Sequence, residues 1–446
     1  MSSGGRFWAP KFPFDPARWP FFYGWVMVLA GTVGVVFSIP GQTMGVSVFT
    51  DVLIEELGLT RVELSSAYMV GTVGSGLTLP YLGRLFDRFG ARKMVVGSAL
   101  VTGVVLFYLS GSAWITEMVG GWLPDGMRVW VALGVITLGF YLVRASAQGV
   151  LTMTSRNAVG KWFDYHRGTA LAASGVFTAF AFSAAPKGLD WMIGSYGWQG
   201  AWMVLGGLTL TVMVGVGWLF FRDNPEECGL EMDGPARGER KREVHADAVA
   251  HRSYPRGEAL RTWAFWAFNL SFVFYAMFGT AFTFHVVSIG ELAGREKDVV
   301  IGYFMPMAGV SVVSNLLVGW ASARTRLKYL LAGMNLGALL GVLGVLYLGT
   351  GWGALLYVVG NGACGGAFSA LCGIVGPRFF GRKWLGAISG VGMSSMVIAS
   401  GVGPFLFGAS LEWAGSYSTV LWVCGAVPAV LVLASFWADN PQRARG

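Results

Sequence analysis

Arg144 places a guanidinium inside an apolar stretch, Val129 to Thr152. A lone cation at a bilayer centre costs about 3 kcal/mol on insertion scales and roughly 10 or more in simulations. Helix carbonyls, a watered cavity or an anionic ligand must offset that cost. Gln148 and Thr152 follow at intervals of four, which on an α-helix puts all three on one face. Such a face can hold a carboxylate. The planar fork of Arg takes both oxygens at once, and a carboxylate ~4 Å away gains ~4 kcal/mol at an effective dielectric of 20. No Asp or Glu falls inside an apolar stretch, so the ligand is the natural counter-charge. The alternative use of Arg144 is as a brace, bonding backbone carbonyls and Gln148.

Other chemistry is sparse. Pro40-Gly41-Gln42-Thr43 interrupts the first apolar stretch and offers an amide, and Gly360-Asn361-Gly362 sets another between two glycines. Glycines let a ligand approach the backbone, but buried amides such as Gln42 and Asn361 also cross-link helices. Tyr275 is a site residue or a packing residue. His285 is a proton-coupling candidate by its ordinary pKa range, or an interfacial histidine. Lys187 and Glu412 fall at stretch ends and read as rim charges. There is no P-loop, HExxH or GxSxG in a strand–helix context, so no catalytic residue, cofactor or ATP hydrolysis is expected. Cys228, Cys364, Cys372 and Cys424 form no CxxC pair and read as small buried hydrophobes, with no metal.

These side chains must be positioned by membrane helices. The 446 residues are 54% hydrophobic and 13% charged, with mean hydropathy +0.58, values of a polytopic helical membrane protein. Apolar stretches run at about 22–50, 65–83, 94–112, 129–153, 168–186, 200–221, 263–287, 300–322, 329–349, 353–376, 385–408 and 416–437. Each can cross a ~30 Å core, which takes about 20 helical residues. By these boundaries Arg144 is the one charge at depth. With the N-terminus in the cytoplasm, 26 of the 32 Lys and Arg lie inside and five outside, namely Arg61, Arg128, Lys187, Arg295 and Lys297. The positive-inside rule then places both termini in the cytoplasm. The net charge of +8 is therefore topology, not nucleic-acid affinity.

The expected organisation is a tail at 1–20 anchored at the interface by Trp8 and Trp19, a six-helix bundle at 21–221, a solvated loop at 222–261, a second bundle at 262–438 and a tail at 439–446. The halves repeat. Gly83 recurs as Gly319 at an offset of 236, and Gly168 and Pro186 recur as Gly386 and Pro404 at 218. Gly197 recurs as Gly415, and Asp223-Asn-Pro225 as Asp439-Asn-Pro441. Such repeats build two related bundles about a shared cavity.

Gly83-Arg-Leu-Phe-Asp87-Arg88-Phe-Gly90-Ala-Arg92-Lys93 resembles the loop signature of the major facilitator superfamily. Arg144-Ala-Ser-Ala-Gln148-Gly149 resembles its fourth-helix motif, with one extra residue between Arg and Gln. Gly160-Lys-Trp-Phe-Asp-Tyr-His-Arg167-Gly168, Arg222-Asp-Asn-Pro225 and Glu258-Ala-Leu-Arg-Thr-Trp-Ala-Phe-Trp266 resemble the monocarboxylate and oxalate/formate antiporter branch. The resemblance implies an all-α fold of twelve transmembrane helices in two pseudo-symmetric bundles, with helices one, four, seven and ten lining the cavity. It also implies a conformational latch at Gly83, Asp87, Arg88, Gly90 and Arg92, in which Asp87 meets a helix N-terminus of its own bundle and the nearby Arg88 and Arg92. Lactate-type carriers of the branch keep a Lys in the first helix and an Asp/Arg pair in the eighth; Met44, Ser311 and Asn315 stand at those places here.

The expected protein is a secondary transporter of a small organic anion, a mono- or dicarboxylate, coupled to a proton or counter-anion. It would be monomeric as the transport unit, in a prokaryotic inner membrane. Arg144, Gln148, Gln42, Tyr275 and Asn361 are the expected substrate-binding residues. One alternative is an exporter of drugs or amphipathic metabolites, although Ser183-Ala-Ala-Pro186-Lys187-Gly188 matches the drug-antiporter motif poorly. A non-transporting ligand sensor is the other.

Overall fold

The computed structural model describes residues 7–124, 127–234 and 250–445, and among these there is no strand. Among the described residues, ten helices are long and apolar enough to cross a membrane, two of them Val62–Ser110 and Arg167–Phe220. At ~1.5 Å per residue these two would extend about 75–80 Å as straight rods, more than twice a ~30 Å core. Each bends at one glycine of positive φ, Gly90 (81°) and Gly197 (72°), a backbone shape almost confined to glycine. Each is therefore two spans meeting at a tight turn, and the spans number twelve.

Numbered in order, α1 is Gly24–Val36, continued by the 3-10 turn Ile39–Gly41 and the short helices Thr43–Ser47 and Thr50–Leu57. Then come α2 (61–89), α3 (91–110), α4 (Arg128–Trp162), α5 (167–196) and α6 (198–220). The second bundle holds α7 (Trp263–Leu292), α8 (Phe304–Ser322), α9 (Leu327–Leu346), α10 (Gly351–Phe380), α11 (Leu385–Ala414) and α12 (Ser418–Ser435). Large apolar side chains stay exposed along the outer faces, for example Leu29, Trp130, Val313 and Val430. In a soluble protein that surface would aggregate; here it is what lipid covers.

The bundles join through two related pairings, α2 on α11 and α5 on α8, with α4 reaching α10 and α11. All are tightest at the end of the molecule that carries the 84–93 and 378–383 connections, called here the basic end. One buried apolar cluster runs through both bundles there, from Phe86 and Trp162 to Phe265 and Phe379. The far end of the first bundle has a cluster of its own around Phe49, Ile136 and Trp202. The molecule is shut at the basic end.

The first tail, expected as an interfacial anchor through Trp8 and Trp19, is docked on the protein. Trp8 lies against Arg92 and Lys93, and Trp19 packs on Tyr23. Arg92 donates to the carbonyls of Ala9 (3.1 Å) and Phe12 (2.9 Å), and Arg222 to those of Pro10 (2.6 Å) and Phe12 (3.0 Å). Two buried guanidiniums thus clasp the tail to the basic end. The two Asp-Asn-Pro stretches do equivalent work. Asp223 accepts from the Arg92 N–H at the α2–α3 turn (3.0 Å), and Asp439 pairs with Lys328 at the α8–α9 turn (2.7 Å).

Candidate functional site

The site begins where α1 breaks. Pro40 has no N–H to continue the helix, and the chain makes a 3-10 turn at Ile39–Gly41 before resuming at Thr43. The break is docked on α4: a Cβ on Gly41 would stand 2.6 Å from the Val143 carbonyl oxygen. Opposite it, α4 is itself irregular, with Arg144–Leu151 forming a π-helical segment. Such bulges absorb an additional residue and recur at functional sites. The residue inserted between Arg144 and Gln148, relative to the motif they resemble, falls inside it.

Arg144 is 1% exposed. Its Nη1 donates to the Tyr68 hydroxyl of α2 and to the Gly41 carbonyl freed by the break (3.3 Å). The guanidinium also lies over the Tyr68 ring, 4.9 Å from the centroid, a cation–π contact. Nε and Nη2 have no partner. These two nitrogens form one edge of the fork, the edge that takes a carboxylate in bidentate fashion. Buried donors left bare cost about 1–3 kcal/mol each, and more on a charged group. Gln148 lies within the same π-helical segment, and its buried Oε1 has no partner among the described residues. Gln42 donates to Ser38 Oγ (3.0 Å) and Thr152 Oγ1 (3.3 Å), tying the break to α4. Gln42 and Thr152 are therefore joined directly, and Arg144 is held at the same break through Gly41.

The remaining candidates lie in the second bundle. Asn361 donates to Met307 Sδ (3.2 Å), linking α10 to α8. Tyr275 packs on Phe368 at a tilt, 4.6 Å between centroids, and its hydroxyl lies 2.7 Å from where Gly365 would carry a Cβ. His285 has both ring nitrogens engaged, Nε2 with the Pro404 carbonyl (3.0 Å) and Nδ1 with the Tyr417 hydroxyl (3.1 Å). Because a carbonyl only accepts, Nε2 carries the hydrogen.

Two residues escaped the sequence reading. Tyr68 holds Arg144, yet nothing in its own stretch marks it. Arg156, three residues past the fourth apolar stretch, is expected in the connection that follows it. The structure corrects that placement. The helix runs on to Trp162, and Arg156 lies within it.

The loop signature also differs from the expected arrangement. Asp87 accepts from the N–H groups of Gly386 and Ala387, both at 2.7 Å, at the N-terminus of α11. Its helix partner belongs to the other bundle. Arg92 serves Asp223 and the tail, as above, and Arg88 lies over the Phe89 ring. Gly83 abuts Gly386, and Gly90 makes the turn beside Asp223.

The sequence model of the Major Facilitator Superfamily matches residues 26–377. Monocarboxylate transporter 2 of Mesocricetus auratus is 29% identical over 195 residues, 42% of this chain and 35% of that protein. The Rattus norvegicus protein of that name is 28% identical over 209 residues, 45% and 37% of the two chains. The matches thus span about a third of the length of these curated relatives. Among solved structures, the E. coli fucose:proton symporter superposes with TM-score 0.64 at 11% identity, covering 93% of this chain and 98% of that one. The human organic anion transporter MFSD10 gives 0.57 at 15%, covering 93% and 99%. At these identities the likeness to solved structures is one of fold.

Proposed function

From the membership of this chain in the major facilitator superfamily, we propose that it is a secondary transporter whose cargo is a small organic anion, a mono- or dicarboxylate. The cargo moves by alternating access, driven by a proton or a counter-anion. One observation carries the choice of anion: Arg144 is buried and charged, its Nη1 is fixed by Tyr68 and Gly41, and the carboxylate-binding edge Nε/Nη2 is bare. A neutral cargo would leave that edge uncompensated. The monocarboxylate-transporter relatives support the same class.

The bundles at 21–221 and 262–438 are the moving bodies, and the α2–α11 and α5–α8 contacts are the gate. The excess of Lys and Arg at the shut end supports a cytoplasmic placement for that end and both termini. The conformation is then closed on the cytoplasmic side.

The test is counterflow in liposomes reconstituted with the full chain, using labelled oxalate, lactate and succinate. Removing one partner of a buried, hydrogen-bonded charge pair costs about 2–5 kcal/mol, roughly 30-fold or more in affinity. Arg144→Gln should therefore abolish uptake while the protein stays monodisperse. Arg144→Lys should not restore it, since an ammonium has no planar fork. Full uptake by Arg144→Gln removes this reading.

A further inference from the structure

We propose that His285 is the proton-binding residue of this carrier. The cargo anion and one proton cross together, the anion held at Arg144 in the first bundle and the proton on the His285 imidazole in the second. The inference rests on the anion reading above and names the coupling ion, which that reading leaves open between a proton and a counter-anion. Histidine is the side chain that ordinarily gains and loses its charge between pH 5 and 8. What sets His285 apart is the chain of hydrogen bonds around it, which accommodates the ring in both protonation states without breaking a contact.

α7 starts at Trp263 beside the basic end, so His285 stands toward the opposite end, about 33 Å along the helix at ~1.5 Å per residue. Its Nε2 meets the carbonyl of Pro404 in α11 (3.0 Å), and its Nδ1 meets the hydroxyl of Tyr417 at the head of α12 (3.1 Å). The same hydroxyl reaches Ser288 Oγ in α7 (3.1 Å). With the ring neutral, Nε2–H donates to the carbonyl and the bare Nδ1 accepts the Tyr417 hydrogen. A proton bound at Nδ1 reverses that chain: Nδ1–H donates to the Tyr417 oxygen, and the hydroxyl hydrogen turns to Ser288 Oγ. No hydrogen bond is lost, and both ring bonds become charge-assisted. The imidazolium therefore pins this part of α7 to α11 and α12 more firmly than the imidazole does.

A purely structural link here needs no titratable ring. At the far end of the first bundle, Phe49 stacks on Trp202 of α6, 4.6 Å between centroids, inside an apolar cluster. His285 and Tyr417 join the corresponding helices of the second bundle, α7 and α12. The ring and Ser288 are only partly buried, which leaves both ends of the chain open to proton exchange. The other ionisable groups of the three helices are Tyr275 and Glu291 of α7, Glu412 of α11 and Cys424 of α12. Both carboxylates are exposed, and among the described residues His285 forms no ion pair. No fixed carboxylate traps the proton there. The hydrogen bonds of Arg144 go to Gly41 and Tyr68, both in the first bundle, so anion and proton load different halves. Two ligands are coupled when each biases the same two-state equilibrium, and a monocarboxylate crossing with one proton moves no net charge.

The experiment uses the full chain in liposomes, with labelled oxalate, lactate and succinate. It reads accumulation driven by an alkaline interior, and counterflow at equal pH on both sides. Wild type should accumulate label, and its counterflow should be faster at pH 6 than at pH 8, since the loaded carrier turns with the imidazolium. His285→Gln keeps a polar side chain but takes no proton; it should lose accumulation about tenfold or more, and its counterflow should be equal at the two pH values. Tyr417→Phe keeps the ring contact and removes the oxygen that receives Nδ1–H, so its pH profile should move to lower pH than that of wild type. A structural role for either residue would lower the rate at every pH and leave the profile in place. Accumulation in His285→Gln within twofold of wild type overturns the proposal, as does a wild-type pH profile in that variant. Should His285→Gln fail to fold, an unshifted profile in Tyr417→Phe overturns it. If wild type exchanges an anion that a pH gradient does not accumulate, this inference falls and the anion reading stands. If wild type carries none of the three anions, both fall.

Discussion

Gly83 of α2 and Gly386 of α11 meet backbone to backbone, and a Cβ on Gly83 would overlap the Gly386 carbonyl oxygen. Gly168 of α5 and Gly319 of α8 make the same contact, with a Cβ on Gly319 falling 2.7 Å from the Gly168 carbonyl oxygen. The sequence repeat relates Gly83 to Gly319 and Gly168 to Gly386. Each glycine therefore touches the counterpart of its own repeat's partner, and the gate is one contact made twice.

Gly83→Ala and Gly168→Ala should each wedge the basic end open. The methyl meets backbone, which cannot swing aside, and overpacking of this kind costs about 1–3 kcal/mol. Spin labels at the exposed positions Arg84 and Lys383 should report a longer inter-bundle distance in both variants, with transport reduced. Both bundles should stay folded, since the substitution acts between them. An unchanged distance would show that the contact is not what sets closure.

Asp87 adds a charge to one of these two contacts only, because the position at the same 236-residue offset is Ala323. Its carboxylate caps the first turn of α11 through Gly386 and Ala387, where the helix dipole favours a negative charge. Hydrogen bonds to a charged group contribute about 1.5–3 kcal/mol each. Asp87→Ala should lengthen the Arg84–Lys383 label distance and cut transport roughly ten- to hundredfold. Asp87→Asn should fall between that and wild type, since its amide oxygen can still accept one of the two N–H groups.

The twelve spans and the repeat were legible because lipid-facing helices are apolar and a repeated gate needs repeated glycines. The lower half of α4 was not. Thr152, Thr154, Ser155 and Asn157 are buried, Thr152 and Ser155 against the first span and Asn157 against α11, so this half faces protein rather than lipid and its sequence reads as a connection. That polarity hid Arg156. The extra residue before Gln148 was the visible trace of the π-helical segment. The cross-bundle partner of Asp87, some 299 residues away, leaves no local signature.

Tyr68→Phe separates the two ways Tyr68 holds Arg144. The ring remains beneath the guanidinium, so the cation–π contact survives, while the hydroxyl that fixes Nη1 is lost. A hydrogen bond to a charged group is worth about 1.5–3 kcal/mol. The fork should become less well oriented, and KM for a carried carboxylate should rise about tenfold with maximal rate little changed. Tyr68→Ala should do more, since it removes both contacts. Equal KM in Tyr68→Phe and wild type would mean that the orientation of Arg144 is set by Gly41 and packing alone.

Arg382 and Glu226 supply the gate's ion pair. Arg382 donates Nη2 to Oε1 at 2.7 Å and Nη1 to Oε2 at 3.3 Å, and Nη1 also reaches the Lys161 carbonyl at 3.1 Å. Burial opposes ionisation of Glu226, but the Arg382 fork and charge outweigh it and hold the carboxyl below its ordinary 4.5. Opening the gate frees the carboxyl to return toward that value. A lowered acid pKa means that the contribution to closure is complete above the free pKa and is lost as pH falls through the lowered one. The pair should therefore act equally at pH 5.5 and pH 8, and proton coupling in that range must come from elsewhere. Glu226→Gln should reduce the closed population about threefold or less, as for a half-exposed pair screened by solvent, by the same factor at both pH values and by less at 1 M salt. A difference between variant and wild type that changes from pH 8 to pH 6 would contradict the titration this geometry dictates.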